Sequence, residues 1–337
     1  MTAAPVHQIA VVGCGNVSAM HFEGFHAHPD RVRVVAACDP VPERRAWAER
    51  EHAVPRTFSS IDELLSADAS EVSWDVAVVC TPSEVREAAV DQLAAAGKHI
   101  LTEKPLADTY AEAVRIVLRC EDAGVLLAVD QNFRDHYAFG IAAQLIADGE
   151  IGAVRGVAQL DVTFRQDRGW RIQQPRHALS VMGVHWLDGF RQLIPADATQ
   201  VLARTFSSPA IDCVGETDAL VHVDFGDVPV SYVQSFSSRV RQTQTIVVGE
   251  LGTLKFGYDT LTRTNDAGTD EWQNRYAGPG KPESAFRSLD RLLTALDTGQ
   301  PPSNSGRDNL KTIALLEAAY ASADQKQPVK LSEGLLR

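Results

Sequence analysis

The chain has 337 residues, of which 45% are hydrophobic and 23% are charged, and its formal net charge is −12. This composition is ordinary for a globular protein with a sizeable core, and the length favours about two domains. The acidic balance argues against a nucleic-acid binder, whose contact surface is basic. No apolar run reaches the roughly 20 residues that span a bilayer. We therefore expect neither a nucleic acid nor a membrane as a partner.

Cysteine usage favours a reducing compartment. The five cysteines are scattered, odd in number and form no C-x-x-C pair, which is typical of buried free thiols in the cytosol. No Lys or Arg precedes Arg31, so the basic start of a signal peptide is not found. We predict a cytoplasmic protein, and we predict no metal site because the sequence has no cluster of metal ligands. The cysteines are Cys14, Cys38, Cys80, Cys120 and Cys213.

Short β-branched apolar runs alternate with helical stretches in the first part of the chain. Continuous apolar strands of this kind are covered by helices on both faces, which predicts a parallel sheet. The alternation predicts an α/β, doubly wound domain over residues 1–129. The predicted strands are 9–12, 34–38, 76–80, 99–101 and 125–129.

One helix of this domain has clear end signals. Thr109 and Glu112 have the spacing of a capping box, and Gly124 is a typical C-terminal stop. Helical periodicity predicts one buried stripe on this helix. The stripe consists of Tyr110, Val114, Val117 and Leu118.

The pattern changes after Phe133. Strand-like runs follow one another too closely for βαβ units, which predicts a largely antiparallel sheet in an α+β domain over residues 130–337. A C-terminal helix of this domain is a candidate to pack back on the first domain. The predicted strands are 154–164, 200–206, 219–225, 230–236, 245–248 and 253–256, and the predicted helices include 138–147 and 309–324.

A glycine-rich loop follows the first predicted strand and opens a helix. Gly13 permits the tight turn, and Gly15 lets the backbone approach a pyrophosphate at the helix N-terminus. Ser18 replaces the usual third Gly or Ala. We predict a dinucleotide site; a turn that binds another phosphate, or nothing, is the alternative. The predicted cofactor-binding residues of the loop are Gly13, Gly15, Asn16 and Val17.

Asp39 ends the second predicted strand. A carboxylate at this position accepts hydrogen bonds from the adenosine ribose hydroxyls and repels a 2′-phosphate, so it favours NAD over NADP. Arg44 and Arg45 follow closely and keep NADP as the alternative.

Lys104 lies in the segment Leu101-Thr-Glu-Lys-Pro-Leu106, which ends another predicted strand. Ligands bind at the carboxyl ends of strands in this architecture. A lysine beside a nicotinamide can polarise a substrate oxygen, and desolvation can lower its pKa toward neutrality. A surface lysine in a turn fixed by Pro105 is the alternative, and the local residues leave both open.

A series of motifs then carries a family resemblance. In chain order they read GCGNVSAMH at 13–21, CDP at 38–40, TPS at 81–83, AGKHILTEKPLA at 96–107, GVHWLD at 183–188 and GELGTL at 249–254. This combination resembles the glucose-fructose oxidoreductase / inositol dehydrogenase / rhizopine catabolism family, written Gfo/Idh/MocA. The resemblance implies an N-terminal Rossmann domain and an open-sheet C-terminal domain that binds substrate and often mediates oligomers. It also implies NAD(P)-linked redox chemistry on sugars or cyclic polyols, with a homodimer or homotetramer as the expected assembly.

The resemblance also assigns roles to single residues. Lys104 matches the family's catalytic lysine in the E-K-P motif, and His185 matches the histidine of D-x-G-x-H-x-x-D, whose last Asp is Asp188. His21 matches a histidine that we interpret as structural. The positions that match loops beside the nicotinamide and its ribose are Thr81, Pro82 and Glu103.

The chain departs from the family pattern at three positions. Val181 stands where the motif has its first Asp, Arg86 where the T-P-N-x-x-H segment has His, and Ser83 where it has Asn. A valine cannot orient a substrate hydroxyl, so proton transfer is expected to rest on His185, with Lys104 fixing the oxygen. A helix histidine bonded to a backbone carbonyl is the alternative role for His185.

Four residues are candidates for substrate contact. Trp170 can stack on a pyranose face, and Arg171 suits a carboxylate, phosphate or sulfonate. Asn132 falls at the predicted domain junction, where it can bond a substrate hydroxyl or hold the hinge. His177 is a candidate substitute for the missing carboxylate. The alternative for the arginine-rich stretch around Trp170 is a solvated loop, with the indole in the core or at a subunit contact.

The sequence therefore predicts an NAD(P)-dependent oxidoreductase. It would transfer hydride between nicotinamide and a secondary alcohol of a sugar, sugar derivative or cyclic polyol. One alternative is a redox-neutral enzyme that oxidises its substrate transiently, eliminates or hydrolyses at a neighbouring bond, and reduces it again. The other is a non-catalytic cofactor-binding regulator; Val181 fits it, whereas the retention of Lys104 and His185 argues against it.

Overall fold

The computed structural model describes residues 5–67, 72–274 and 280–331. The chain forms two compact units, which are described separately. The first comprises Met1–Asn132 and Lys281–Leu310, and the second comprises Phe133–Gly280 and Lys311–Arg337. Among the described residues, none of the helices has both the length and the apolar composition needed to cross a bilayer.

The first unit is built on a parallel sheet, to which the described residues contribute six strands in the order β3-β2-β1-β4-β5-β6. Val79 pairs with Thr102, and Thr102 pairs with Val129, so the carboxyl ends of the last three strands lie at one edge. This confirms the predicted doubly wound sheet. The strands are β1 (His7–Val12), β2 (Val32–Cys38), β3 (Thr57–Phe58), β4 (Val76–Val79), β5 (His99–Thr102) and β6 (Leu127–Val129).

Helices connect these strands and bury the apolar runs. Ile9, Val11 and Leu101 are completely buried. Thr109 and Glu112 form both hydrogen bonds of the capping box at the start of the last of these helices. The helices are α1 (Ser18–His26), α2 (Pro42–His52), α3 (Ile61–Ser66), α4 (Ser83–Ala95) and α5 (Tyr110–Asp122).

The second unit contains a mixed sheet, with nine described strands in the order β14-β13-β12-β11-β7-β10-β9-β8-β15. All its neighbouring strands are antiparallel except β7 and β10, which run parallel, so the predicted largely antiparallel sheet is confirmed. The strands are β7 (Val154–Phe164), β8 (Gln200–Phe206), β9 (Asp218–Phe225), β10 (Val228–Ser235), β11 (Ser237–Gly249), β12 (Thr253–Phe256), β13 (Thr260–Asn265), β14 (Gly268–Gln273) and β15 (Val329–Lys330).

Helices α6 (Tyr137–Ala147) and α7 (Val184–Leu193) contribute apolar side chains to the core cluster that includes the strands of this sheet. Phe190 of α7 contacts Tyr232 of β10 edge-on, with ring centroids 5.8 Å apart. A π-helical turn, Leu179–Gly183, leads directly into α7. This arrangement fixes the backbone that carries His185.

The late helices are divided between the two units. Helix α8 (Lys281–Thr298) packs on α1, where Gly24 lies directly against the backbone of Pro282. Helix α9 (Gly306–Gln325) follows. Residues 281–310, which include α8, group with the first unit. The division at 1–129 and 130–337, with a C-terminal helix that packs back on the first domain, stays a prediction.

Candidate active site

The loop between β1 and α1 leaves open space at its centre. A Cβ built on Gly15 would meet nothing within 4 Å, whereas one on Gly13, whose φ is +94°, would lie 3.0 Å from the carbonyl carbon of Cys80. The Ser18 hydroxyl donates to the Gly15 carbonyl oxygen at 2.7 Å and closes the turn. Asn16 is exposed, Val17 is half-buried, and the first turn of α1 has no side-chain cap. The loop therefore fits the pyrophosphate of a dinucleotide.

Gly15→Val is expected to weaken NAD binding severely without unfolding the protein. The new side chain enters the open space that a pyrophosphate needs, and it clashes with no described atom near its Cβ. We expect the affinity for NAD, measured by calorimetry, to fall by about a hundredfold or more, because close backbone approach is lost. The urea unfolding midpoint should stay that of the wild type. Unchanged NAD affinity would remove the loop from the cofactor site.

Asp39 holds the glycine loop in place. Its Oδ2 accepts the backbone N–H of Cys14 at 2.8 Å, and its Oδ1 accepts that of Val41 at 2.9 Å. The side chain is 2% exposed, with the Arg44 guanidinium 3.7 Å away. Arg45 donates to the Asp39 carbonyl oxygen instead. Each carboxylate oxygen keeps a second lone pair for a ribose hydroxyl, so Asp39 fits NAD while also serving the loop.

A buried ionic cluster lies behind the E-K-P segment. His21 Nε2 is 2.8 Å from Glu103 Oε1 and 3.6 Å from Asp130 Oδ2. Burial on its own would lower the pKa of His21, but Cys80, Glu103 and Asp130 raise it well above its usual value. Burial would likewise raise the pKa of Glu103, but the hydrogen bond from His21 lowers it. A protonated His21 therefore faces an ionised Glu103.

This cluster also has the composition of a metal site. His21, Glu103 and Asp130 each place one ligand atom within 4.8 Å of the others. The hydrogen bond between His21 and Glu103 and the raised pKa of His21 account for the arrangement through ion pairing. The absence of a metal stays a prediction from the sequence.

Lys104 follows this cluster directly. Its backbone N–H donates to Glu103 Oε2 at 3.2 Å, its side chain is half-buried, and the Lys104–Pro105 peptide bond is cis. Arg86 is 2% exposed and donates to the carbonyl oxygens of Thr81, at 2.6 Å, and of Pro105. One guanidinium therefore ties the Thr81-Pro82 loop to the lysine segment. Sequence reasoning noted Arg86 only as a departure from the family pattern.

Arg86→Met is expected to destabilise the protein strongly. The change leaves two carbonyl oxygens without their buried donor, which costs about 2–4 kcal/mol of unfolding free energy. Urea unfolding of the wild type, Arg86→Met and Arg86→Lys measures this cost. The lysine variant keeps the charge but cannot reach both oxygens with one planar group, so its loss should be smaller. A loss below about 1 kcal/mol in Arg86→Met would contradict the bracing role.

Buried polar atoms without partners collect at the carboxyl ends of β4 and β6. Among the described residues, Thr81 Oγ1, both amide atoms of Gln131 and Asn132 Oδ1 have no hydrogen-bond partner. Gln131 is 1% exposed and Asn132 7%. Such atoms are costly unless a ligand or an ordered water completes them. Sequence reasoning found Thr81 and Asn132 but missed Gln131, whose position beside Asn132 was the available signal.

His185 of α7 is held by ring stacking in the second unit. Its imidazole lies flat on Phe133, with centroids 3.9 Å apart and planes 7° apart, and it is 4% exposed. One turn later, Asp188 receives both arms of Arg134 at 2.7 and 2.8 Å and the Thr312 hydroxyl at 2.8 Å. Asp188 therefore anchors α7, and Phe133 orients the imidazole.

The segment just before the π-helical turn carries a second oriented histidine. His177 is fully buried, and its Nε2 is 3.1 Å from Asp167 Oδ2. Burial on its own would raise the pKa of Asp167, but His177 and Arg165 lower it to about 2. The His177 carbonyl accepts the Val181 N–H at 2.7 Å. An ionised carboxylate, Asp167, therefore lies beside His177, although position 181 has no carboxylate. Sequence reasoning missed Asp167. Substrate contact by His177 stays a prediction.

The predicted stacking residue Trp170 lies on the surface of the second unit. Its side chain is 45% exposed, and the guanidinium of Arg171 is 5.4 Å from its ring centroid. The alternative that placed the indole in the core is therefore wrong. The structure places the predicted cofactor residues, Lys104 and Asn132 in the first unit, and His185, His177, Trp170 and Arg171 in the second.

Comparisons with known proteins agree with the motifs. Residues 7–131 match a family described as "Oxidoreductase family, NAD-binding Rossmann fold", and residues 139–255 match the GFO/IDH/MocA C-terminal domain. D-apiose dehydrogenase of Paraburkholderia graminis is 31% identical, over 96% of this chain and 89% of that protein. Inositol 2-dehydrogenase of Rhizobium meliloti is 24% identical, over 96% of this chain and 99% of that protein.

A solved structure has the same fold. An oxidoreductase from Agrobacterium radiobacter, in complex with NAD+, L-tartaric acid and magnesium, has a TM-score of 0.86 and 24% identity, covering 96% of this chain and 98% of that one. The chain therefore belongs to the Gfo/Idh/MocA family of oxidoreductases with an NAD-binding Rossmann fold, which confirms the family, the fold class and the NAD cofactor expected from its motifs.

Proposed function

We propose that this oxidoreductase interconverts a secondary alcohol and a ketone of a sugar, sugar derivative or cyclic polyol, with NAD as the hydride carrier. The observation that carries the proposal is the braced E-K-P segment, in which Glu103 and Arg86 fix the backbone around Lys104. The names of the relatives, dehydrogenases of D-apiose and of inositol, support this substrate class.

Two side chains divide the proton chemistry in this proposal. The glycine loop and Asp39 would hold NAD, whose nicotinamide would supply the acceptor for the hydride of the carbinol carbon. The Lys104 ammonium donates a hydrogen bond to the substrate oxygen, and its backbone is already fixed by Glu103. A ring nitrogen of His185 takes the hydroxyl proton, and stacking on Phe133 keeps the ring from rotating. A positioned base of this kind contributes about 10²–10⁴ in rate.

Gln131 and Thr81 extend the proposed cofactor site at its nicotinamide end. Their unsatisfied buried atoms lie at the carboxyl ends of β6 and β4, and the carboxamide of nicotinamide offers a matching donor and acceptor. Gln131→Leu is then expected to weaken NAD by about tenfold, or about 1.4 kcal/mol, and to leave ADP-ribose affinity unchanged. Calorimetry with both ligands measures the difference. Equal losses of affinity for NAD and for ADP-ribose would show that Gln131 supports the structure of the site and does not contact the nicotinamide.

Turnover of a substrate panel tests the proposed reaction. Purified protein is incubated with NAD and, separately, NADP, together with neutral sugars, uronates, glycosides or inositols, and absorbance at 340 nm reports reduced cofactor. We expect NADH to accumulate with at least one secondary alcohol. Product formation without NADH accumulation would instead support the redox-neutral alternative, and binding without any conversion would support the regulator.

A homodimer or homotetramer is proposed as the assembly. Leu220 of β9 is 49% exposed and pairs in register with Val233 of β10, which pairs with Leu160 of β7. These side chains form an apolar row across three neighbouring strands, and a second copy can cover such a row. Sedimentation velocity of the wild type and Leu220→Glu tests the assembly. A wild-type protein that sediments as a monomer would contradict the proposed assembly.

The proposed location is the cytoplasm. All five cysteines are free, and four of them are buried, which is typical of proteins kept in a reducing compartment. Fractionation of cells that express the chain tests the location, and recovery in an oxidising compartment would contradict it.

A further inference from the structure

A group of three arginines lies where β7 ends and β11 begins. Arg165 follows the last residue of β7, and Arg239 and Arg241 lie in an irregular part of β11, where the pairing register with β7 shifts between Ser237 and Gln242. We call Arg165, Arg239 and Arg241 the β7–β11 arginine group. Three cations at the ends of two neighbouring strands are unusual in a chain whose formal net charge is −12.

Aromatic rings support two of these guanidinium groups. Arg239 lies over the ring of Phe164 at 3.9 Å, and Arg165 lies over the ring of Phe236 at 4.9 Å. A guanidinium stacked on a ring keeps its N–H donors free at the edge of the plane. The donors of Arg239, and those of Arg165 other than the Nε–H that Asp167 accepts, are therefore arranged before any ligand arrives.

The carboxylates of this region leave two of the three arginines without an ion pair. Asp161 accepts hydrogen bonds from the Trp186 indole and the Thr243 hydroxyl, and Asp218 accepts the Ser237 hydroxyl. Only Arg165 has a carboxylate partner, Asp167. Throughout the described segments, no carboxylate lies within ion-pair distance of Arg239 or Arg241, and both side chains are exposed.

The group is connected to the helix of His185. Trp186, the residue after His185, donates its indole N–H to Asp161 Oδ2 at 3.0 Å. The charges of Arg165 and Arg241 act on this same carboxylate. Phe133, on which His185 stacks, also meets Tyr258 edge-on, and the same two arginine charges act on Tyr258. The arginine group and the predicted proton acceptor thus belong to one connected part of the second unit.

We propose that Arg239 and Arg241, with Arg165, form a subsite for an anionic group of the substrate, so that the preferred substrates are sugar acids or sugar phosphates rather than neutral sugars. This inference rests on the proposed function, because it names the substrate class for the same reaction. Guanidinium groups bind carboxylates and phosphates through paired, charge-assisted hydrogen bonds.

Matched pairs of ligands test the subsite by binding. Calorimetry on the NADH-saturated protein compares D-glucuronate with D-glucose, D-galacturonate with D-galactose, and D-glucose 6-phosphate with D-glucose. We expect at least one acid to bind about tenfold more tightly than its neutral partner. Added NaCl should reduce this difference in affinity, because salt screens charge–charge attraction. The uronate and phosphate arms distinguish the two anions.

Variants show whether the arginines cause the preference. The double variant Arg239→Gln/Arg241→Gln is expected to bind acid and neutral sugar with equal affinity. Arg204→Gln changes an exposed arginine of β8 in the same unit and should keep the difference in affinity. The unfolding midpoint of each variant checks its folding. Equal binding of acid and neutral sugar by the wild type, no binding of any acid, or an unchanged difference in affinity in the double variant would each overturn the subsite.

Rates of NADH formation on the same compounds separate this inference from the proposed function. Oxidation of neutral sugars as efficiently as of acids would overturn the subsite and leave the oxidoreductase proposal in place. Arginine-dependent binding of an acid, with no NADH formed from any compound, would support the subsite and overturn the proposed reaction.

Discussion

Lys104→Ala is expected to lower kcat by about a hundredfold or more, the usual scale for a positioned acid–base group. The change removes the ammonium but leaves the backbone N–H bond to Glu103 and the Arg86 bond to Pro105 intact. NAD affinity, measured by calorimetry, should therefore stay near that of the wild type. Steady-state kinetics at saturating NAD measure the loss.

Lys98→Ala is the matched control, because Lys98 is the other lysine among the first 254 residues. Its ammonium donates to the Trp74 carbonyl oxygen at 2.6 Å and has no assigned part in the reaction. We expect normal kcat in this variant. A normal kcat in Lys104→Ala would refute the role carried over from the E-K-P motif.

His185→Asn should lower kcat by about a hundredfold or more, because the amide cannot accept the hydroxyl proton. Asparagine is flat and smaller than the imidazole, so it can remain on the ring of Phe133 that now holds His185. The unfolding midpoint should change little, and kcat is measured with the best substrate of the panel.

His136→Asn controls for the aromatic surroundings of His185. The ring of His136 is also next to Phe133, at 4.3 Å between centroids, but it lies outside α7. We expect this variant to keep its kcat. Equal losses in both variants would show that packing, and not proton transfer, explains the effect.

The strands were predictable where they are apolar and buried. The runs that became β1, β2 and β4 are short, β-branched and continuous, so sequence and burial agree. Strands β13 and β14 were missed because their side chains are mostly polar and face solvent at the sheet edge. Periodicity is uninformative for such a hairpin.

The buried stripe of α5 was predicted in the wrong phase. Tyr110, Val114, Val117 and Leu118 were expected to be buried, but Leu118 is 45% exposed. The helix has apolar residues on more than one side, so hydrophobicity alone does not select the buried face. The buried residues are Ala113, Ile116, Val117 and Cys120.

The candidate site was predictable where its residues lie in one local motif. The glycine loop and the E-K-P segment belong to single strand ends, so their sequence patterns are continuous. Arg86, Gln131 and Asp167 were missed because their roles come from contacts or burial that only the folded chain creates. Arg86 and Pro105 are 19 positions apart, and Asp167 and His177 are 10 apart. No short pattern encodes such pairs.

Transfer of deuterium tests the central claim most directly. A substrate identified in the panel is labelled with deuterium at the carbinol carbon, and the NADH formed is analysed by mass spectrometry. The account predicts that the label moves from that carbon to the nicotinamide. It also predicts that each of the two variants, Lys104→Ala and His185→Asn, transfers the label more slowly than the wild type does. Consumption of the substrate with unlabelled NADH, or with the label released to water, would contradict direct hydride transfer.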